Sequence, residues 1–153
     1  MKSINITDVK NFMSKLLIKE DFDNFLLEEA SITTFNTFTI DGHIHKNYYT
    51  SEEYEVLRNT ELSYWSTIKP ICFELIKGKK TPSRFKIILK ANENLVVKIS
   101  EDSSNILGLY LNIKYEDGAL NCITATSMKS FTLDKTIDDT WDNYIDTYIN
   151  KIL

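Results

Sequence analysis

Glycine and proline are scarce in this chain of 153 residues, which has four of the first and two of the second. Phosphate cradles rely on glycine to bring backbone N–H groups up to a ligand, and no Walker A loop, dinucleotide fingerprint or GxSxG elbow is present. Cysteine is equally sparse. Cys72 and Cys122 are the only two, far apart and in no CxxC pair, which argues against a disulfide framework or a cysteine-rich metal site and for a reducing, cytoplasmic setting. Long apolar runs are missing too. Leu16-Leu17-Ile18 and the stretch from Gly108 to Leu111 fall far short of the roughly 20 residues that span a bilayer. Behind Met1-Lys2-Ser3-Ile4-Asn5 the residues Asp8, Lys10 and Asn11 interrupt any apolar core of an export signal. No membrane partner and no cofactor are expected.

What is present suits a packed globule. The chain is 42% hydrophobic and 26% charged, with eight Phe, eight Tyr and two Trp as large core side chains, and its length fits one domain over residues 1–153. The net charge of −4 conceals an asymmetry. From Lys69 to Lys98 eight Lys or Arg face two acids, a net +6, so the flanks together carry −10.

Periodicity predicts an α+β fold: a mostly antiparallel sheet with β-hairpins, an N-terminal and a long C-terminal helix, and one or two central helices. Thr7 is placed to cap a first helix whose stripe is Val9, Phe12, Met13, Leu16 and Leu17. Strands are expected from about Phe25 to Ile32 and Thr34 to Ile40. Asp41-Gly42 is a preferred pair for a type I′ turn, which would set Ile40 opposite His43 and bring both histidines to the face of Phe38 and Ile40. Ser51-Glu52-Glu53-Tyr54 starts a short helix. Another begins near Ser63, with Trp65, Ile68, Cys72, Leu75 and Ile76 on one face, Pro70 inside and Gly78 at its end. Arg84 to Leu89 reads as a strand, and Asn92 caps a short helix in a stretch whose Val96-Val97 also suits a strand. Leu107 to Thr126 is the clearest β signal: Leu107, Leu109, Leu111, Ile113 and Tyr115 alternate with Gly108, Tyr110, Asn112 and Lys114, and Asp117-Gly118 closes a hairpin that pairs Tyr115 with Leu120, Ile113 with Cys122 and Leu111 with Thr124. The last helix carries Ile137, Trp141, Tyr144, Ile145, Tyr148, Ile149 and Ile152 on one face, and Asp138, Asp139, Asp142 and Asp146 on a face read as solvated.

Few residues point to chemistry. His43 and His45 project to one side of an extended strand and are the most metal-like pair, but zinc normally takes three protein ligands and no third is fixed by spacing. Cys72 and Cys122 both fall on apolar faces, where a thiol behaves as a small core residue. The segment from Lys77 to Lys86 concentrates Lys77, Lys79, Lys80, Arg84 and Lys86 near a helix end. It reads either as a solvated loop or as a contact for an acidic protein surface, with Trp65 available for stacking. Nucleic acid would bind weakly at most, because the rest of the molecule repels it. The strand from Ile32 to Ile40 has two faces of mixed character, which suits an ordinary Thr-lined strand or a sheet edge that meets a partner.

Three segments carry a resemblance: Ser31-Ile32-Thr33-Thr34-Phe35-Asn36-Thr37-Phe38-Thr39-Ile40-Asp41-Gly42, Tyr64-Trp65-Ser66 through Lys69-Pro70-Ile71-Cys72-Phe73, and Ile76-Lys77-Gly78-Lys79-Lys80-Thr81-Pro82. On these the chain resembles a family of short, uncharacterised proteins of low-GC Gram-positive bacteria, classed as a domain of unknown function. The resemblance runs nearly end to end and transfers no functional residue. The expectation is therefore an interaction or regulatory module using the basic turn at 77–86 and the mixed hairpin at 31–49. The alternative is a metal-dependent or other hydrolytic enzyme centred on His43 and His45. Oligomeric state is open.

Overall fold

The computed structural model describes residues 1–57 and 60–153. The elements follow in the order β1 (Ser3–Ile6), α1 (Val9–Leu17), β2 (Leu26–Thr33), β3 (Thr37–Asp41), a 3-10 turn (Lys46–Tyr48), α2 (Ser51–Val56), α3 (Trp65–Ile76), β4 (Arg84–Lys90), α4 (Glu93–Ile99), β5 (Ile106–Glu116), β6 (Ala119–Met128) and α5 (Thr136–Ile152). The fold is α+β. All six strands are antiparallel to their neighbours, in the order β1-β6-β5-β4-β2-β3.

Local chemistry accounts for most element ends. Asp8, not Thr7, caps α1 by accepting from the Asn11 N–H at 3.2 Å. Thr50 and Glu53 form a reciprocal capping box on α2, which satisfies two of the N–H groups a helix start leaves unpaired. Asn92 accepts from the Leu95 N–H at 2.9 Å and settles the ambiguous stretch as helix. Pro70 lies inside α3 on its exposed side, where a proline costs the helix one N–H hydrogen bond. Asp117 and Gly118 take φ of 53° and 77°, the left-handed pair a type I′ turn requires. The β5–β6 register is the expected one, with Tyr115 on Leu120, Ile113 on Cys122 and Leu111 on Thr124.

The helices cover one face of the sheet. Phe12 and Leu16 from α1, Trp65 and Cys72 from α3, and Trp141, Ile145 and Ile149 from α5 form one core with Ile32, Ile87, Leu89, Leu111, Ile113 and Cys122 of the strands. Two buried indoles are pinned by their N–H groups: Trp65 Nε1 donates to the Leu16 carbonyl at 2.8 Å and Trp141 Nε1 to that of Tyr110 at 2.9 Å. The tryptophans thus tie α1 to α3 and α5 to β5.

Other expectations need correction as well. The strand β1 was not foreseen; four residues with one buried side chain, Ile6, carry too short a pattern. The Asp41-Gly42 pair makes no hairpin, since Gly42 is not among the residues with positive φ. Instead β2 and β3 turn at residues 34–36, and Leu62-Ser63 is laid between the start of β2 and the end of β3: His43 bridges Leu62, the Ser63 N–H donates to the Gly42 carbonyl at 2.9 Å, and the Leu27 N–H donates to Ser63 at 2.8 Å. Leu107 does not continue the inward alternation, because a register shift between Ile106 and Gly108 turns it outward and buries Ile106. The acids of α5 are not simply solvated. Asp142 accepts from the Thr124 hydroxyl and Asp138 from that of Thr126, so both line the seam between helix and sheet.

Candidate binding surface

The sheet face opposite the helices is assembled by register. Row by row it presents Thr33, Arg84, Glu116 and Ala119; then Thr39, Ser31, Lys86, Lys114 and Asn121; then Asp41, Glu29, Ile88, Asn112 and Ile123; then Lys90, Tyr110 and Ala125. Its side chains are exposed or half-buried, whereas most of those at the intervening positions of β4, β5 and β6 are buried. At the centre Lys86 and Lys114 stand directly opposite each other on neighbouring strands, a like-charge pairing that costs stability. Lys114 reaches Glu116 at 3.2 Å, and no acid lies within ion-pair distance of Lys86 among the described residues.

The basic segment splits into two parts. Lys77 is held by Glu74 at 2.9 Å and lies over the Phe73 ring at 5.7 Å, so it closes off the end of α3. Lys79 and Lys80 are exposed in the α3–β4 connection, and Arg84 and Lys86 project from β4 onto the open face. Trp65 cannot supply stacking there. It is fully buried, as its position on the apolar stripe of α3 dictates. Lys69, counted with the basic stretch, instead pairs with Asp23 across to the α1–β2 connection. Lys114 is the cation that sequence alone did not single out, since the β4–β5 pairing that places it beside Lys86 joins strands separated by α4.

The two histidines are not brought together into a ligand set. The His43 Nδ1 lies 2.6 Å from Asp41 Oδ1. That hydrogen bond holds the imidazole above its ordinary pKa of 6.5, while the His43 backbone N–H, donating to the same oxygen at 3.0 Å, and then the imidazole hold the carboxyl below 3.8. His45 starts the 3-10 turn and is exposed. Among the described residues no three His, Cys, Asp or Glu side chains converge as a metal site would require. Two clefts, of about 680 and about 790 Å³, meet at Tyr64, Asn92 and Asn94, and neither is lined by His43 or His45. Burial pushes both cysteine thiols up to about 12, far from the range of an activated nucleophile. Among the described residues no helix is long and apolar enough to cross a membrane.

No curated protein and no solved structure matches the chain. A family match does exist, and it spans residues 15–152, from the last turn of α1 through the two-tryptophan core and the open sheet face to the end of α5. The chain belongs to the family of unknown function DUF5721.

Proposed function

We propose that the protein is a cytoplasmic interaction module that docks an acidic segment of a partner protein on the open face of its sheet. Lys86 and Lys114 form the centre of the contact, with Arg84 and the exposed Lys79 and Lys80 along the adjoining rim. The observation that carries this reading is the Lys86–Lys114 pair. A sheet that needed only to be soluble gains nothing from two ammonium groups opposed across a ladder, and a local rule broken without an internal gain marks a surface built for something outside the molecule. A partner carboxylate between the two would relieve their repulsion and gain two charge-assisted hydrogen bonds. Two buried, unpaired thiols fit a reducing compartment.

A fluorescein-labelled polyglutamate peptide tests this directly by polarisation. Binding is expected, weakening as salt rises, and the Lys86→Glu/Lys114→Glu variant should lose it while remaining folded. A labelled single-stranded oligonucleotide should bind only weakly at physiological salt. Tight oligonucleotide binding with a salt slope near −0.7 per phosphate would make nucleic acid the partner. Equal peptide binding by the variant would remove the open face from the account.

A further inference from the structure

The sheet ends on one side in β3, whose outer edge pairs with no strand among the described residues. The hydrogen bonds that bracket its pairing with β2, from the Gly42 N–H to Glu28 at 3.0 Å and from the Thr34 N–H to Asn36 at 2.9 Å, fix its phase. Even-numbered residues turn their amides to β2, so Thr37, Thr39 and Asp41 turn theirs outward. The strand reads Thr37-Phe38-Thr39-Ile40-Asp41; it carries no Lys, Pro or bulge, three of the devices that keep an edge from pairing, and its one charge, Asp41, stands at its end. Just before it Phe35 is 87% exposed, edge-on to Phe38 at 5.4 Å.

We propose that two copies of this chain pair antiparallel through their β3 edges, on a two-fold axis at Thr39, and so join two six-stranded sheets into one. The sequence of the strand is self-complementary about that axis. Thr39 meets the partner's Thr39, Phe38 meets the partner's Ile40 on the core side, and Thr37 meets the partner's Asp41. The single charge of the strand therefore lies opposite a hydroxyl and not opposite itself. The outward phase makes Thr39 with the partner's Thr39 a directly hydrogen-bonded pair, and Thr37 with the partner's Asp41 the next, each exchanging both backbone bonds. The same register carries Phe35 to the partner's His43. A self-matching pattern favours a second copy, the isologous arrangement of most homodimers, over a foreign strand, which would need no such symmetry.

The pairing uses the sheet edge and leaves Lys86 and Lys114 free, so it stands apart from the acidic-partner reading. Sedimentation equilibrium of the full chain from micromolar to submillimolar concentration should show a monomer–dimer equilibrium. Thr39→Lys sets like charges on the axis and should raise the dissociation constant at least about tenfold, with unchanged circular dichroism. Thr39→Cys should be joined to its copy by a bifunctional thiol reagent of about 5 Å span, because side chains directly opposite on an antiparallel pair hold their Cβ atoms about 5 Å apart, and both native thiols are buried. Thr37→Cys, opposite Asp41, should not. A monomer at every concentration, a dimer that survives in folded Thr39→Lys, or equal cross-linking of the two cysteine variants would overturn the proposal. Should Thr39→Lys fail to fold, the cross-linking contrast decides alone.

Discussion

Gly42 is held by contact, not by turn geometry. A Cβ added there would lie 1.7 Å from the Leu27 carbonyl oxygen, where only backbone can yield. Gly42→Ala should therefore cost about 1–3 kcal/mol or more, measured by urea denaturation. At Gly108 the added Cβ meets the Tyr110 ring at 2.6 Å. That ring lies on the open face and can swing away, so Gly108→Ala should cost clearly less than Gly42→Ala. The reverse ranking would refute the wedged geometry of Leu62-Ser63. His43 offers a pH test at the same scale. Its NMR titration should centre above 6.5, and Asp41→Asn should bring it down. The pair favours the folded state from the ordinary carboxylate range upward. The His43 contribution is full below 6.5 and is lost as pH rises through its raised folded pKa, whereas that of Asp41, carried first by the His43 backbone N–H, is present above 3.8 and is lost only as pH falls through its lowered folded pKa. At Cys72 and Cys122, thiols pushed up to about 12 should ignore a disulfide reagent at neutral pH in the native state and react once the chain is unfolded.

Between elements, the central rows of the sheet set stability against use. Lys86→Glu replaces a like-charge pair by an ion pair with Lys114, so it should stabilise the fold by up to about 1 kcal/mol at low salt while abolishing polyglutamate binding. A destabilised variant would mean the two ammonium groups are not in repulsive contact. On the helical side Trp141 is buried and hydrogen-bonded to β5, and Trp141→Ala should cost about 3–5 kcal/mol by calorimetry. How legible an element is depends on how local its causes are. The β5–β6 register could be read because Asp117-Gly118 and the alternation on both sides lie within one contiguous stretch. Asp41-Gly42 carries the same dipeptide signal, yet its fate is decided by Leu62-Ser63, some twenty residues away, arriving between the strands. Leu107 follows the alternation in sequence but is displaced by a bulge that no residue type there announces.

Across the whole molecule, the fold class, both long hairpin strands and the long helix were legible because each repeats one period over many residues. The proposed contact surface was half legible. Arg84, Lys86 and the loop lysines cluster in sequence, whereas Lys114 joins them only through a pairing that skips α4, and Trp65 leaves them because its helix faces the core. The far-reaching bridge between His43 and Leu62 has a different kind of consequence. It draws residues 44–61 into an excursion whose two ends are already fastened side by side, so the chain between them is free to change length without disturbing any strand. Doubling such a loop costs only about 0.6 kcal/mol of closure entropy. Insertion of a Gly-Ser linker after Tyr48 should leave the melting temperature nearly unchanged, while the same linker after Ser31 should unfold the protein. In this chain the excursion is therefore the place where added sequence should disturb the sheet least.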